Sequence, residues 1–178
     1  MTPRAITIRL AEPRDAQPIA LMSREFIESG LGWKYDAPRV LRAIRDRETV
    51  AAVACEGGKS PRGAINGFAI MEFGDERAHL VLLAVRPSHR GNGIGRRLLE
   101  WLLESARTAG IASVHLELRA GNDAARRFYR AMGFYETVLV PGYYRSGEGR
   151  KEGALRMLRV LRVPGPLPAS WQPPRIEK

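Results

Sequence analysis

Two groups of residues in this 178-residue chain are of types and spacings that could do chemistry. The first is Val85-Arg86-Pro87-Ser88-His89-Arg90-Gly91-Asn92-Gly93-Ile94-Gly95-Arg96, where an apolar run meets alternating glycines. Pro87 lacks the N–H that a strand ladder needs. Gly91, Gly93 and Gly95 let the backbone bend tightly and approach a ligand with no Cβ in the way. From Ile94 the apolar residues recur at Leu98, Leu102 and Ala106, one face of a helix. The unpaired N–H groups at that helix start carry about half a positive charge. They predict an anion site, most naturally for phosphate. The second group is His115, Glu117 and Arg119, which alternate onto one face of a strand while Val114, Leu116 and Leu118 take the other. Tyr129 follows on a short helix able to fold back beside that strand. A carboxylate or imidazole and a phenol so arranged can move protons during a group transfer.

The dinucleotide fingerprint G-x-G-x-x-G needs a third glycine at position 96, where Arg96 stands. Gly58-Lys59-Ser60 supplies the end of a P-loop, but position 53 is Val and Pro61 leaves no clean helix start. What remains, Arg90-Gly91-Asn92-Gly93-Ile94-Gly95, resembles the R-G-x-G-x-G pyrophosphate loop of the GNAT superfamily of acetyl-CoA-dependent N-acetyltransferases. Taken alone, the glycines also suit a plain strand-to-helix turn. The run His115 to Phe134 is similar to the later motif of that superfamily, L-E-[VL]-R-x-x-N-x-x-A-x-x-x-Y-x-x-x-G-F, through Leu116, Glu117, Leu118, Arg119, Asn122, Ala125, Tyr129, Gly133 and Phe134. The nearest resemblance is to the bacterial ribosomal-protein-alanine N-acetyltransferases. It runs from about Leu83 through Tyr144 and includes the paired tyrosines Tyr143 and Tyr144. In the last loop this chain has Glu152 where that group carries Asp.

The resemblance implies an α+β fold in three α/β/α layers. Its central sheet is mixed, mostly antiparallel, with six to seven strands flanked by about four helices. It implies acetyl-CoA as acyl donor, no metal, and direct attack by a primary amine in a ternary complex. A peptide or protein N-terminal amine is the expected acceptor; a small-molecule amine, or a non-catalytic acyl-CoA-binding module, is the alternative. Backbone groups of Leu83, Ala84 and Val85 would pair with the pantetheine like an added strand. The N–H groups of Gly91, Asn92, Gly93, Ile94, Gly95 and Arg96 would hold the pyrophosphate, with charge from Arg90 and Arg96, and Asn122 would touch the cofactor. Glu117 matches the general base, acting through water, and Tyr129 the general acid. The residues themselves leave other roles open: Glu117 paired with Arg119, His115 as the base, Tyr129 as core packing. No spacing of His, Asp and Glu points to a metal.

The elements that must position these groups follow from pattern. Ala5–Leu10, Thr49–Cys55, Ala64–Phe73, Ala78–Val85 and Ile111–Arg119 read as strands, with Gly74-Asp75 as a hairpin turn. Asp15 is expected to cap a helix through Ile19, Met22 and Phe26, and Asp36 a second through Val40 and Ile44. Between them Trp33 and Tyr35 would sit at the mouth of an acceptor cleft or cover the core. The helix after the glycine loop stops at Gly110, and a short one follows Asn122. A strand through Val138 and Val140, a polar loop from Pro141 to Glu152, and a strand from Leu155 to Leu161 close the sheet.

Composition suits one soluble domain over residues 1–162, followed by a proline-rich tail, 163–178, that is extended or disordered. Cys55 is the single cysteine, in an apolar run, so no internal disulfide or cysteine-based zinc site is expected. No apolar run approaches membrane-spanning length and the N-terminus does not read as a signal peptide, so a cytoplasmic protein without membrane attachment is expected. The formal charge of +10 predicts weak association with polyanions such as nucleic acid or the ribosome, or else reflects an arginine-rich background. The oligomeric state is open.

Overall fold

The computed structural model describes residues 6–56, 63–146 and 148–162. The turn bearing Gly58-Lys59-Ser60 and the proline-rich tail lie outside them. In chain order come β1 (Ile6–Leu10), α1 (Ala16–Phe26), α2 (Ala37–Arg45), β2 (Thr49–Glu56), β3 (Ile65–Phe73), β4 (Arg77–Val85), α3 (Ile94–Thr108), β5 (Ser113–Arg119), α4 (Asp123–Ala131), β6 (Tyr135–Arg145) and β7 (Lys151–Val160). The strands form one sheet in the order β1-β2-β3-β4-β5-β7-β6. Every neighbouring pair is antiparallel except β4 with β5. The expected mixed sheet between helical layers is present.

Each face of the sheet has its own core. On one, α3 lays its fully buried Leu98, Leu99, Leu102 and Leu103 over Ala52, Ala69, Ala78 and Leu80, and Tyr129, Met132 and Phe134 join from the α4 segment. On the other, Ile19 and Met22 of α1 and Val40 of α2 cover Val53, Phe68, Ile70 and Leu82. Burying one such leucine is worth about 1.5–3 kcal/mol, so the leucine face of α3 fixes the helix firmly on the sheet. The helix start, and the glycine loop before it, are thereby fixed at the end of β4.

Two expectations are corrected. Asp15 precedes α1 but makes no side-chain cap. Its carboxylate instead takes the Arg9 guanidinium at 2.6 Å and the Glu12 N–H at 2.7 Å, tying β1 to the helix start. The polar loop expected from Pro141 to Glu152 is mostly strand: β6 continues to Arg145 and β7 begins at Lys151. Pro141 is tolerated because β6 is an edge strand and its register shifts between Val140 and Tyr144. The cap expected at Asp36 is made, to the Arg39 N–H at 2.9 Å.

Candidate functional site

The site begins where β4 gives way to the glycine loop. Arg86 anchors the turn, its backbone N–H donating to Asn66 O at 2.8 Å and its Nε to Ile65 O at 2.7 Å. Gly91 and Gly93 then take φ of +80° and +75°. That left-handed conformation costs any other residue, glycine excepted. Gly93 caps α3 without a side chain, and the first turn of the helix holds no acidic residue. A Cβ built on Gly91 or Gly93 meets no protein atom within 4 Å, so the space in front of these glycines is open. The N–H groups of Ile94, Gly95 and Arg96 open the helix and have no intrahelical partner. The two arginines part company. Arg90 folds back, its Nε donating to Val85 O at 3.0 Å with the guanidinium near the Phe26 ring. Arg96 runs outward to Glu100 at 3.7 Å.

The second component is a gap in the sheet. β4 and β5 pair in parallel only at Arg77 with Ser113, Ala78 with Val114 and His79 with His115. Beyond His79 the strands part, and Leu83, Ala84 and Val85 pair with β3 alone. An extra residue, Val81, bulges where the β3 register shifts between Ile70 and Met71. The bulge turns the strand over. Ala78 and Leu80 before it face α3, whereas Leu82 and Ala84 after it face α1 and α2. Asn122 uses its Oδ1 to cap α4, accepting from the Ala125 N–H at 3.1 Å.

The proton-carrying groups lie on opposite faces beside this gap. Glu117 faces the α1–α2 side, with only 6% of its side chain exposed. Its Oε2 lies 2.7 Å from His79 Nε2 and its Oε1 accepts from Arg156 Nε at 2.8 Å. Glu117 and Arg156 are register partners across β5 and β7. The reading that paired Glu117 with Arg119 is corrected, because Arg119 bonds Glu152 at 2.8 Å and Ser29 O at 2.9 Å. The hydrogen bond with His79, and then Arg156, outweigh burial and hold the Glu117 carboxyl at about 2. His115 stacks on His79, ring centroids 4.5 Å apart and planes within 5°. Burial, and then His79, hold its imidazole below the usual histidine value.

Tyr129 is buried in the α3-side core, edge-on to Phe128 and Phe134. Among the described residues its hydroxyl has no hydrogen-bond partner. Burial pushes the phenol well above its ordinary value, and Tyr144 pushes it the same way, so it stays a proton donor at neutral pH. Tyr144, raised by its own burial, also feels Tyr143 and Glu117.

A cleft of about 630 Å³ is lined by Arg24, Glu28, Ser29, Gly30, Leu31 and Trp33, next to the end of β5, where Arg119 donates to Ser29 O. Glu28 shapes it from beneath, accepting from Ser23 Oγ at 2.9 Å and from the Lys34 N–H at 2.7 Å. A bridge between Leu31 and Ser146 joins this loop to the β6–β7 hairpin. The two aromatic residues separate: Trp33 is 40% exposed at the cleft, whereas Tyr35 is buried in the core. Cys55 is buried as expected, its thiol pushed up by burial.

Sequence reasoning missed His79 and Arg156. His79 lies within the run Ala78–Val85 read as a strand, and nothing local told of its contact with His115. His79, His115 and Glu117 bring ligand-capable atoms within 4.8 Å of one another. Both Glu117 oxygens are already engaged, one by His79 and one by Arg156.

The Glu117 cluster has a consequence for acid stability. A carboxyl held at about 2 in the fold, against an ordinary value of 4.5, contributes its full stabilisation above pH 4.5. That contribution is lost as pH falls toward 2. At about 1.4 kcal/mol per unit it amounts to roughly 3.5 kcal/mol at most. Glu117→Gln is therefore expected to melt lower than the parent at pH 7, with the difference shrinking below pH 4.5. A difference in melting temperature that stays constant from pH 7 to pH 3 would contradict the ion-paired carboxylate.

The sequence profile of the acetyltransferase (GNAT) family matches residues 17–134. The [Ribosomal protein bS18]-alanine N-acetyltransferase of Escherichia coli K12 is 35% identical over 98 residues, 55% of this chain and 66% of that protein. The chain thus spans slightly less than two thirds of that relative's length. The crystal structure of the Escherichia coli ribosomal-protein-S18-alanine N-acetyltransferase superposes with a TM-score of 0.73 at 26% identity, over 90% of this chain and 97% of the other. That of Ard1 from Thermoplasma volcanium superposes with a TM-score of 0.74 at 26% identity, over 89% and 99%.

Proposed function

The chain belongs to the acetyltransferase (GNAT) family, and from that premise we propose that it transfers an acetyl group from acetyl-CoA to a primary amine, a peptide or protein N-terminus in particular. The observation that carries this reading is the parting of β4 from β5 immediately beyond His79 and His115, with an open glycine loop at one end of the gap and proton-carrying side chains on its two faces. The unpaired edge of Leu83, Ala84 and Val85 offers backbone donors and acceptors to a pantetheine chain. The N–H groups from Gly91 to Arg96 suit a pyrophosphate, and an N–H near the Val81 bulge suits the thioester carbonyl as charge develops on its oxygen. Asn122 keeps its amide nitrogen for the same ligand. Arg90, beside the loop, can turn to phosphate; Arg96 adds charge only by leaving Glu100.

An amine entering from the Trp33 cleft meets the Glu117 side of the gap. It loses a proton there and attacks the thioester carbon. The carbon–nitrogen bond forms, the carbon–sulfur bond breaks, and the departing thiolate takes the Tyr129 proton. The second proton of the attacking nitrogen restores the phenol. A protein acceptor is supported by the relatives whose names specify ribosomal-protein alanine. It is also supported by the open cleft, which admits an extended chain end. The +10 charge supports weak, salt-sensitive association with an anionic partner such as the ribosome. No described helix is long and apolar enough to cross a membrane, which is compatible with the cytoplasm as its place of action. Residues 1–162 would form the one catalytic domain, with 163–178 appended.

Turnover of acetyl-CoA against a panel of N-terminal peptides, free amino acids and polyamines tests the reading. Peptides with a free N-terminus are expected to be acetylated at least tenfold more efficiently, in kcat/KM, than any small amine. Preferential turnover of a small amine would overturn the protein acceptor, and absence of turnover with acetyl-CoA bound would favour a non-catalytic module.

A further inference from the structure

The resemblance gives the base role to Glu117, but its surroundings suit it poorly to that task. Both oxygens are engaged, one by Arg156 and one by His79, and the side chain is almost wholly enclosed. A carboxylate so stabilised in its charged form has little tendency to take a proton from an ammonium. His79 differs. It belongs to the last β4–β5 residue pair before the strands separate, so it stands at the apex of the gap. Its side chain is 31% exposed, and its hydrogen bond among the described residues is made at Nε2, which leaves Nδ1 without one. With Nε2–H directed at Glu117 Oε2, the Nδ1 lone pair is free to accept.

We propose that His79 is the catalytic residue that takes the proton from the acceptor ammonium, with Glu117 as the carboxylate that orients its ring and stabilises the imidazolium. This deepens the acetyltransferase reading and rests on it. The ammonium N–H bond breaks and its proton goes to His79 Nδ1, leaving the amine its electron pair for attack on the thioester carbon. The imidazolium is held between the Glu117 carboxylate and the stacked His115 ring, then releases its proton to water once the product has left. Arg156 keeps Glu117 ionised and fixes it in register. His115 is the platform: its plane lies flat against His79, which sets the direction of Nδ1. The other titratable or charged groups facing this cluster are Tyr143, whose hydroxyl senses Glu117 and Arg156, Tyr144, which also senses Glu117, and Glu72, the register partner of His79 on β3.

The test uses the full chain with a peptide acceptor, comparing His79→Gln, His79→Ala and the parent. In both variants kcat is expected to fall about 10²-fold at pH 7, as for loss of a general base, while acetyl-CoA still raises the melting temperature. The loss should shrink as pH rises and the acceptor amine becomes neutral unaided. The acidic limb of the kcat/KM profile should flatten, and imidazole added to His79→Ala should restore part of the rate. Packing alone would leave the pH profile unchanged and give no rescue. Either variant retaining kcat within about threefold of the parent, with the same acidic limb, overturns the proposal while leaving the acetyltransferase reading intact. A parent that neither binds acetyl-CoA nor turns it over overturns both.

Discussion

Tyr129→Phe is expected to lower kcat by about 10²-fold or more, roughly 3 kcal/mol of transition-state stabilisation, with acetyl-CoA affinity close to that of the parent. The ring of Tyr129 is held between Phe128 and Phe134 in the α3-side core, and phenylalanine preserves those contacts. The hydroxyl has no partner among the described residues, so its removal breaks no hydrogen bond in the resting protein. Deleting a buried hydroxyl without a partner is neutral or mildly stabilising. The melting temperature should therefore hold or rise while catalysis fails, a combination that packing cannot produce. Combined with Glu117→Gln, the two losses should be less than additive, because both groups serve one transition state. A fully active Tyr129→Phe would remove the phenol from the mechanism.

Gly93→Val is expected to abolish the stabilisation that acetyl-CoA gives. At a hundred times its dissociation constant a ligand stabilises by about 2.7 kcal/mol. For a domain of this size that is a rise of roughly 5–10 °C in melting temperature. No protein atom lies within 4 Å of a Cβ at position 93, so the branched side chain projects into the space the pyrophosphate would use. The φ of +75° adds backbone strain of about 1–2 kcal/mol in the variant even without ligand. Gly93→Ala separates the two effects. It carries most of the strain with much less bulk, so it should melt lower than the parent yet keep part of the ligand response. An unchanged acetyl-CoA affinity in Gly93→Val would overturn the loop assignment.

What could be read from the sequence was local. The glycine loop, the face of α3 and the alternation of β5 each depend on residues close in the chain, where periodicity and backbone preference act directly. The proton-handling cluster could not be read this way. Glu117 meets His79 and Arg156 across separations of 38 and 39 residues. Those meetings depend on strand order and register, which no single stretch encodes. Arg119 was the natural partner for Glu117 in sequence, being two residues away on the same face. The order that puts β7 beside β5 instead gave Glu117 to Arg156 and Arg119 to Glu152. The long β6 was hidden for a different reason. Pro141 and Gly142 are turn residues by preference, but an edge position and a bulge make them acceptable in a strand. Trp33 and Tyr35 were indistinguishable as loop aromatics until α2 buried one and left the other at the cleft.

The short parallel contact between β4 and β5 has a mechanical consequence. Three residue pairs are all the ladder that joins the half-sheet β1–β4 to the half-sheet β5–β7. Elsewhere the two halves are joined by α3 and the side chains packed beneath it. A donor lying along the free edge of β4, as proposed, would fill the gap beyond that ladder. The contacts that would hold it would then also brace one half-sheet against the other. On that reading, release of the product would remove the brace between the two halves.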